Sequence, residues 1–199
     1  MPNATPASNG EQNLVVYGCK VYLVTRKSVV RDDGTTDSTP DAILLGKDDN
    51  FTLPVLTART TTANIMGEMT VPIVGQYEDT EATWHHKGSI EDVAPILAPG
   101  SYELEVFWGA QWANSGNVQI LRGGYAYLSV SPKVLLPQLE INTGEALEFD
   151  IPLSVPSFEI GGRDSQKQTT PIIKFDRLNH ILQVNGQTVS DDLNIYLDH

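Results

Sequence analysis

Cysteine is nearly absent from this chain of 199 residues: Cys19 is the only one. No intrachain disulfide and no all-cysteine metal site can therefore form, and a lone cysteine in an apolar run reads as a small buried residue. Basic charge is also scarce, with 13 Lys and Arg against 25 Asp and Glu for a formal net charge of −12. A surface this acidic disfavours phosphate-rich or anionic-membrane partners. Apolar runs are short, none approaching the length of a membrane span. The opening MPNATPASNGEQN has neither a basic segment nor an apolar core, so it does not read as a signal peptide. The sequons at Asn3 and Asn50 then carry little meaning, and the expected place of synthesis and assembly is the cytosol.

Catalytic signatures are missing as well. There is no G-x-S-x-G elbow, and Cys19 has no histidine near it in sequence. Gly123-Gly124 and Gly161-Gly162 are isolated pairs, expected at bulges or turns rather than in a phosphate loop. Asp32, Asp33, Asp37 and Asp41 lack the spacing and the distal carboxylate of an EF-hand, and read as a solvated acidic loop. His85-His86 on a strand would point to opposite faces, leaving His85 with Glu81 or Asp79 as a weak metal cluster of the sort chance produces. The expectation is a chain with no enzymatic activity, no metal site and no cofactor.

What the sequence does contain is strand pattern. A hydrophobic fraction of 40% and a charged fraction of 19% suit a globular domain. Residues 1–12 read as a flexible N-terminal arm and 13–199 as one domain. Leu14–Arg26 is dense in Val, Tyr and Leu and predicts a buried strand, whereas Ser28–Ala42 reads as a surface loop. Phe51–Gly88 is rich in Thr, Val and Ile, with Pro54 and Pro72 suited to edges or bulges, and predicts a long hairpin over about 55–85. Within it, Ala82 and Trp84 fall on one side of an alternating stretch. Ser89–Gly100 is the helix candidate: Ser89 caps, Asp92 completes a capping box, Pro99-Gly100 stops it, and Pro95 keeps it short. Tyr102–Trp108 and Ile120–Ser131 predict a second hairpin over about 103–131. Strands joined at Asn142-Thr143-Gly144, a turn at Asn185-Gly186 and a short Ser190-capped C-terminal helix complete the chain. The class is mainly β: an antiparallel β-sandwich or barrel of about eight to ten strands, with one flanking short helix, long projecting hairpins and the short C-terminal helix. Hairpins with unpaired edges either fold back on the domain or pair with other subunits.

Two stretches carry a family resemblance. In Phe51–Val93, Thr52-Leu53-Pro54, Leu56-Thr57, Met66-Gly67, Val71-Pro72, the strand through Trp84, and Gly88 follow in order. In Phe175–Leu197, Asp176, Asn179 and Val184-Asn185-Gly186 precede the end of the chain. Arg122-Gly123 and Thr143-Gly144-Glu145 lie between them. In that order these motifs resemble the major tail tube proteins of contractile-tailed phages, a family related to the inner tubes of R-type bacteriocins and other contractile injection systems. The chain departs from the pattern in its acidity, its long stretch at Ser28–Asp49 and its acidic C-terminus.

The resemblance implies a structural virion protein whose six copies close into a ring, rings stacking into a hollow tube inside the sheath. Its partners would be itself, the sheath protein, the baseplate or tube initiator, the tail terminator and the tape measure, with DNA passing through the lumen unbound during ejection into the host. Both hairpins would join an inner barrel of about 24 strands; strands ~4.8 Å apart and tilted ~40° close that barrel at a backbone diameter of about 45–50 Å. The assembly residues implied are Leu56, Thr57, Met66, Gly67, Val71, Trp84, Val106, Trp108, Leu121, Tyr125 and Tyr127. Glu68, Glu78, Asp79 and Glu81 are the candidates for an acidic, DNA-repelling lumen wall. The alternatives are an inner tube of a DNA-free injection particle, or a monomeric β-sandwich binding module.

Overall fold

The computed structural model describes residues 14–30, 36–47, 49–64, 68–114, 117–137, 144, 147–163 and 166–189. The N-terminal arm, Met66-Gly67, the Asn142-Thr143 turn and the Ser190-capped helix lie outside them. The strands are β1 (Leu14–Val30), β2 (Thr36–Lys47), β3 (Asn50–Thr52), β4 (Ala58–Asn64), β5 (Glu68–Tyr77) and β6 (Glu81–Lys87). After helix α1 (Ile90–Leu97) come β7 (Tyr102–Asn114), β8 (Asn117–Pro132), β9 (Glu148–Arg163), β10 (Thr169–Asp176), β11 (Ile181–Val184) and β12 (Gln187–Thr188). The fold is mainly β and its described pairings are antiparallel.

Ten strands share one sheet in the order β12-β11-β10-β9-β8-β7-β1-β2, with β6 branching from β9 and β3 pairing with β6. The sheet does not close, so the barrel alternative is not met. β4 and β5 form a separate two-stranded sheet. Ser28–Ala42 is not the expected surface loop: Ser28 pairs with Ser38 and Val30 with Thr36, so both flanks continue as a hairpin. The polar, Asp-rich composition of β2 hides it from strand patterning because one side of an edge strand needs no apolar partner.

Strand alternation sets the core. Direct cross-strand partners share a face, so Val21, Val106, Ala126 and Ile160 form one inward row and Leu23, Leu104, Leu128 and Phe158 another. Phe175 extends the second row through its pairing with Phe158. Ala82, Trp84, Phe149, Ile151, Leu153 and Val155, together with Val93 and Ile96 of α1, complete a single buried cluster. β9 links the halves: residues 148–154 pair with β6, and its later residues pair with β10 while β8 runs along it. Its buried positions run Phe149, Ile151, Leu153, Val155 and then Phe158, a change of phase across Pro156-Ser157.

Sequence punctuation acts as expected at two points. Ser89 accepts from the Glu91 amide while Asp92 accepts from the Ser89 amide, the reciprocal capping box, with Pro95 inside the short helix. Asn185 and Gly186 have φ of 51° and 76°, the left-handed pair that a tight β11–β12 turn requires. The glycine pairs lie within strands rather than at turns, and Gly161 sits at the irregularity of the β9–β10 ladder, where Pro171 faces Gly161 and Ile173 faces Ile160. Gly161 lies opposite Tyr125 within paired strands, and a Cβ there would come within 2.1 Å of the Thr170 carbonyl.

Ile96 is 0% exposed, so Ile96→Ala should cost about 2–5 kcal/mol. Ser89→Ala, which removes only a cap, should cost about 1 kcal/mol. Urea unfolding of the two variants should separate them in that order.

Candidate functional site

Two features stand out once the strands are placed: a polar cluster beneath a cleft, and the face of the large sheet turned away from the core. The cluster centres on Asp49, whose residue is buried at 2% exposure. Its Oδ2 accepts from Trp84 Nε1 at 2.7 Å and from His86 Nδ1 at 2.7 Å, and its Oδ1 from the Lys87 amide at 3.3 Å. His86 Nε2 lies 3.5 Å from Asp92 Oδ2, so the imidazole stands between the corner after β2 and the capping residue of α1. A Cβ at Gly46 would sit 2.0 Å from Asp49 Oδ2, and glycine alone allows that approach. Cys19 is also buried; burial, then the Asp49 charge, pushes its thiol up to about 11. Cys19 is therefore a structural thiol rather than a reactive one.

Above the cluster is a cleft of about 850 Å³, lined by Phe51, Leu53, Val106, Trp108 and Phe149 and, on its polar side, by Thr52, His85 and Asp150. His85 and Asp150 are direct partners on β6 and β9, and His85 Nδ1 is 2.6 Å from Asp150 Oδ1. On the other side of the ring, His85 Nε2 is 3.0 Å from Thr52 Oγ1. His85 and His86 thus do point to opposite sides of β6. Glu81 and Asp79 do not join His85: Glu81 pairs with Lys133 and Asp79 with Arg177. Among the described residues no group of three or more His, Cys, Asp and Glu side chains could hold a metal ion.

The outward face of the large sheet carries the rows Tyr22, Glu105, Tyr127, Glu159 and Lys20, Phe107, Tyr125, Gly161. Phe107 stacks edge-on with Tyr22 and Tyr127, and the Arg163 guanidinium lies 4.2 Å from its ring centroid. Tyr125 donates to Glu159 Oε1 at 2.8 Å. Burial, and then that hydrogen bond, holds the Tyr125 phenol above its ordinary range. Tyr127 is raised by burial first and then by Glu105. Burial also raises the Glu105 carboxyl, with Arg163 opposing it.

The residues expected to mediate assembly are dispersed. Trp84, Val106 and Tyr125 are each 0% exposed, so their side chains are filled in by their own chain and are not offered to a neighbour. The large apolar residues of a strand serve the nearest core first, and alternation alone does not tell that core from an interface. Trp108 is half-buried and packs over Gly124, where a Cβ would meet its ring at 2.1 Å. Tyr127 is half-buried on the outward face, Leu56 packs against the core, and Thr57 is exposed. Val71 pairs with Thr61 in β5, while Leu121 falls at the irregularity where Ala110 faces Arg122 and Gln111 faces Ile120. Met66 and Gly67 are outside the described residues.

Of the lumen candidates, Glu68 pairs by its backbone with Asn64 in the β4–β5 sheet, and Glu78 is exposed beside that sheet. Asp79 and Glu81 each have a cationic partner, so neither is a free negative charge. Sequence reading missed Asp49 altogether, since an acid next to a polar stretch looks solvated. The W-H-H alternation on β6 is the signal that a buried acceptor was needed, because an indole N–H and an imidazole turned inward both require a partner.

Asp49→Ala leaves two buried donors unpaired and should cost about 1–3 kcal/mol for each, measured by chemical denaturation. The raised Glu105 carboxyl works against folding once it ionises: its folded value lies above the ordinary 4.5, so stability falls as pH rises from that value through the folded one. Glu105→Gln should remove this loss, giving a flatter melting temperature just above pH 4.5.

No family model matches the chain, and no curated protein matches it.

Proposed function

We propose that this protein is a self-assembling structural subunit of a contractile phage tail tube, forming hexameric rings that stack into a conduit for DNA. The observation that carries the reading is the four-strand run β2-β1-β7-β8 at one end of the large sheet, with β2 as its free edge and β8 paired to β9 only from Gly123 onward. It consists of two long hairpins side by side, with β1 of 17 residues, β2 of 12, β7 of 13 and β8 of 16. Four strands from each of six copies supply about 24, the number whose closure leaves room for a duplex. The order and kind of the motifs at Thr52–Gly88 and Asp176–Gly186 support the same reading.

The strand assignment differs from the one expected from sequence. The hairpin at 103–131 keeps its place as β7–β8, but β1 covers β7 as far as Leu14–Trp112, so it does not stand free. The second barrel hairpin becomes β1–β2, and the separate β4–β5 sheet within 55–85 is left for contact between rings. Because the core fills the inner face of the run at Val21, Leu23, Leu104, Val106, Ala126 and Leu128, the lumen face there would be the outward one. Glu103 and Glu105 lie on that face, beside Lys20 and Arg163, and join Glu68, Glu78, Asp79 and Glu81 as candidates to repel phosphate.

Assembly would proceed by adding a neighbour's strand to the β2 edge, where Ile43 and Leu44 are each 48% exposed. A double substitution, Ile43→Lys with Leu44→Lys, places charge on that edge in the manner natural proteins use to block pairing. At high concentration the parent chain should give hollow rods or rings in electron micrographs, and the double variant should remain monomeric with little change in melting temperature. A parent chain that stays at 21.8 kDa at all concentrations overturns the reading.

A further inference from the structure

The Thr52, His85 and Asp150 side chains form a hydrogen-bonded relay that the tube reading does not use. β3, β6 and β9 are neighbouring strands, and their register brings the three residues together: Asn50 faces His85, Thr52 faces Thr83, and His85 faces Asp150. In the tautomer with its proton on Nδ1, the ring donates to the Asp150 carboxylate and presents a lone pair at Nε2. At 3.0 Å, that lone pair is positioned to take the Thr52 hydroxyl proton. The hydroxyl belongs to an exposed residue at the rim of the cleft of about 850 Å³, whose inner wall is formed by Phe51 and Phe149 on the opposite face of β3 and β9. A nucleophile, a base within hydrogen-bond reach and a third group that orients the base are the parts an activated hydroxyl needs.

We propose that Thr52 is an activated nucleophile that accepts acyl groups from short-chain carboxylic esters, with His85 as general base and Asp150 as the residue that positions the ring. In the step, Thr52 Oγ1 forms a bond to the acyl carbon, and the ester C–O bond breaks with its electron pair leaving on the alcohol or phenolate. The hydroxyl proton passes to His85 Nε2 and from there to water or the leaving group. No oxidant, metal or further reactant is required. The product is an O-acyl threonine, and water attacking the same carbonyl would restore the hydroxyl.

The test uses the full chain with p-nitrophenyl acetate, following p-nitrophenolate release by absorbance and the labelled position by peptide mass spectrometry. One acetyl group should appear on the peptide containing Thr52. Thr52→Val, nearly the same shape, should abolish both the label and the associated release, whether the parent stops after one equivalent or turns over. His85→Gln should slow labelling by about 10²-fold or more, the usual contribution of a positioned base. Asp150→Asn should slow it less, and Asp150→Glu should recover most of the rate, with melting temperatures of all variants close to the parent. Label confined to lysines or to His85, or an unchanged rate in Thr52→Val, overturns the proposal. The readout needs no assembly, so it stands or falls separately from the tube reading.

Discussion

A single strand has to satisfy two sets of neighbours at once, and most of the architecture follows from how β9 does so. Its first half must bond to β6 and its second to β8 and β10, while its apolar side chains keep facing one core. Strict alternation is broken where the β8–β9 ladder is irregular, Ser131 facing Ser154 but Ser129 facing Ser157, and an extra residue there reverses which side is inward. The phase change between Val155 and Phe158 follows, and Pro156 is a residue suited to it, since it has no N–H to leave unpaired. Val155 itself bonds its amide to the Thr80 carbonyl, and the Thr80 hydroxyl bonds back to the Val155 carbonyl, so the bend is pinned from outside. The core between the two parts of the sheet is then continuous from Cys19 to Phe175.

Closing that core forces the corner after β2 inward, and Asp49 with it. A buried carboxylate is costly unless its lone pairs are occupied. Here the occupants are an indole, an imidazole and a backbone amide from the adjoining strand β6. The same imidazole turns Nε2 toward Asp92 of α1 at 3.5 Å without a hydrogen bond, so the ring binds strand corner to strand and only adjoins the helix. Such a network contributes more to fixing one arrangement than to raising stability, because an apolar replacement of matched shape would avoid the desolvation altogether.

Features set by local physics were legible in the sequence. The helix with its capping box, the Asn185-Gly186 turn, the alternation through Trp84 and the strands of 102–131 all follow from short-range chemistry. What could not be read were facts about neighbours. β2 looks like a loop because its residues are polar, yet β1 supplies its hydrogen bonds. Gly161 and Gly124 look like breaks, yet they make room for the rings of Tyr125 and Trp108. Trp84 and Val106 look equally suited to an interface and a core, and only the packing of the two parts of the sheet on each other assigns them to the core. The Thr52–His85–Asp150 relay was invisible for the same reason: its members are 33 and 65 residues apart and meet only through strand register.

The edges of the sheet are unequal, which bears on what an assembly could use. β12 is two residues long, too short to template a partner, whereas β2 offers twelve. The polar end of β2 carries Asp37, Pro40 and Asp41, residues that discourage indiscriminate pairing, and Lys47 closes the other end; the exposed Ile43–Leu44 pair between them is apolar. An edge blunted along part of its length and open along the rest selects a partner strand in one register. Two dissimilar patches meeting head to tail make either a ring or an open filament, depending on whether the rotation closes. Under the tube reading, β2 would fix the rotation within a ring and the separate β4–β5 sheet the rise between rings. Each contact then has its own piece of backbone, and neither requires the buried core to rearrange.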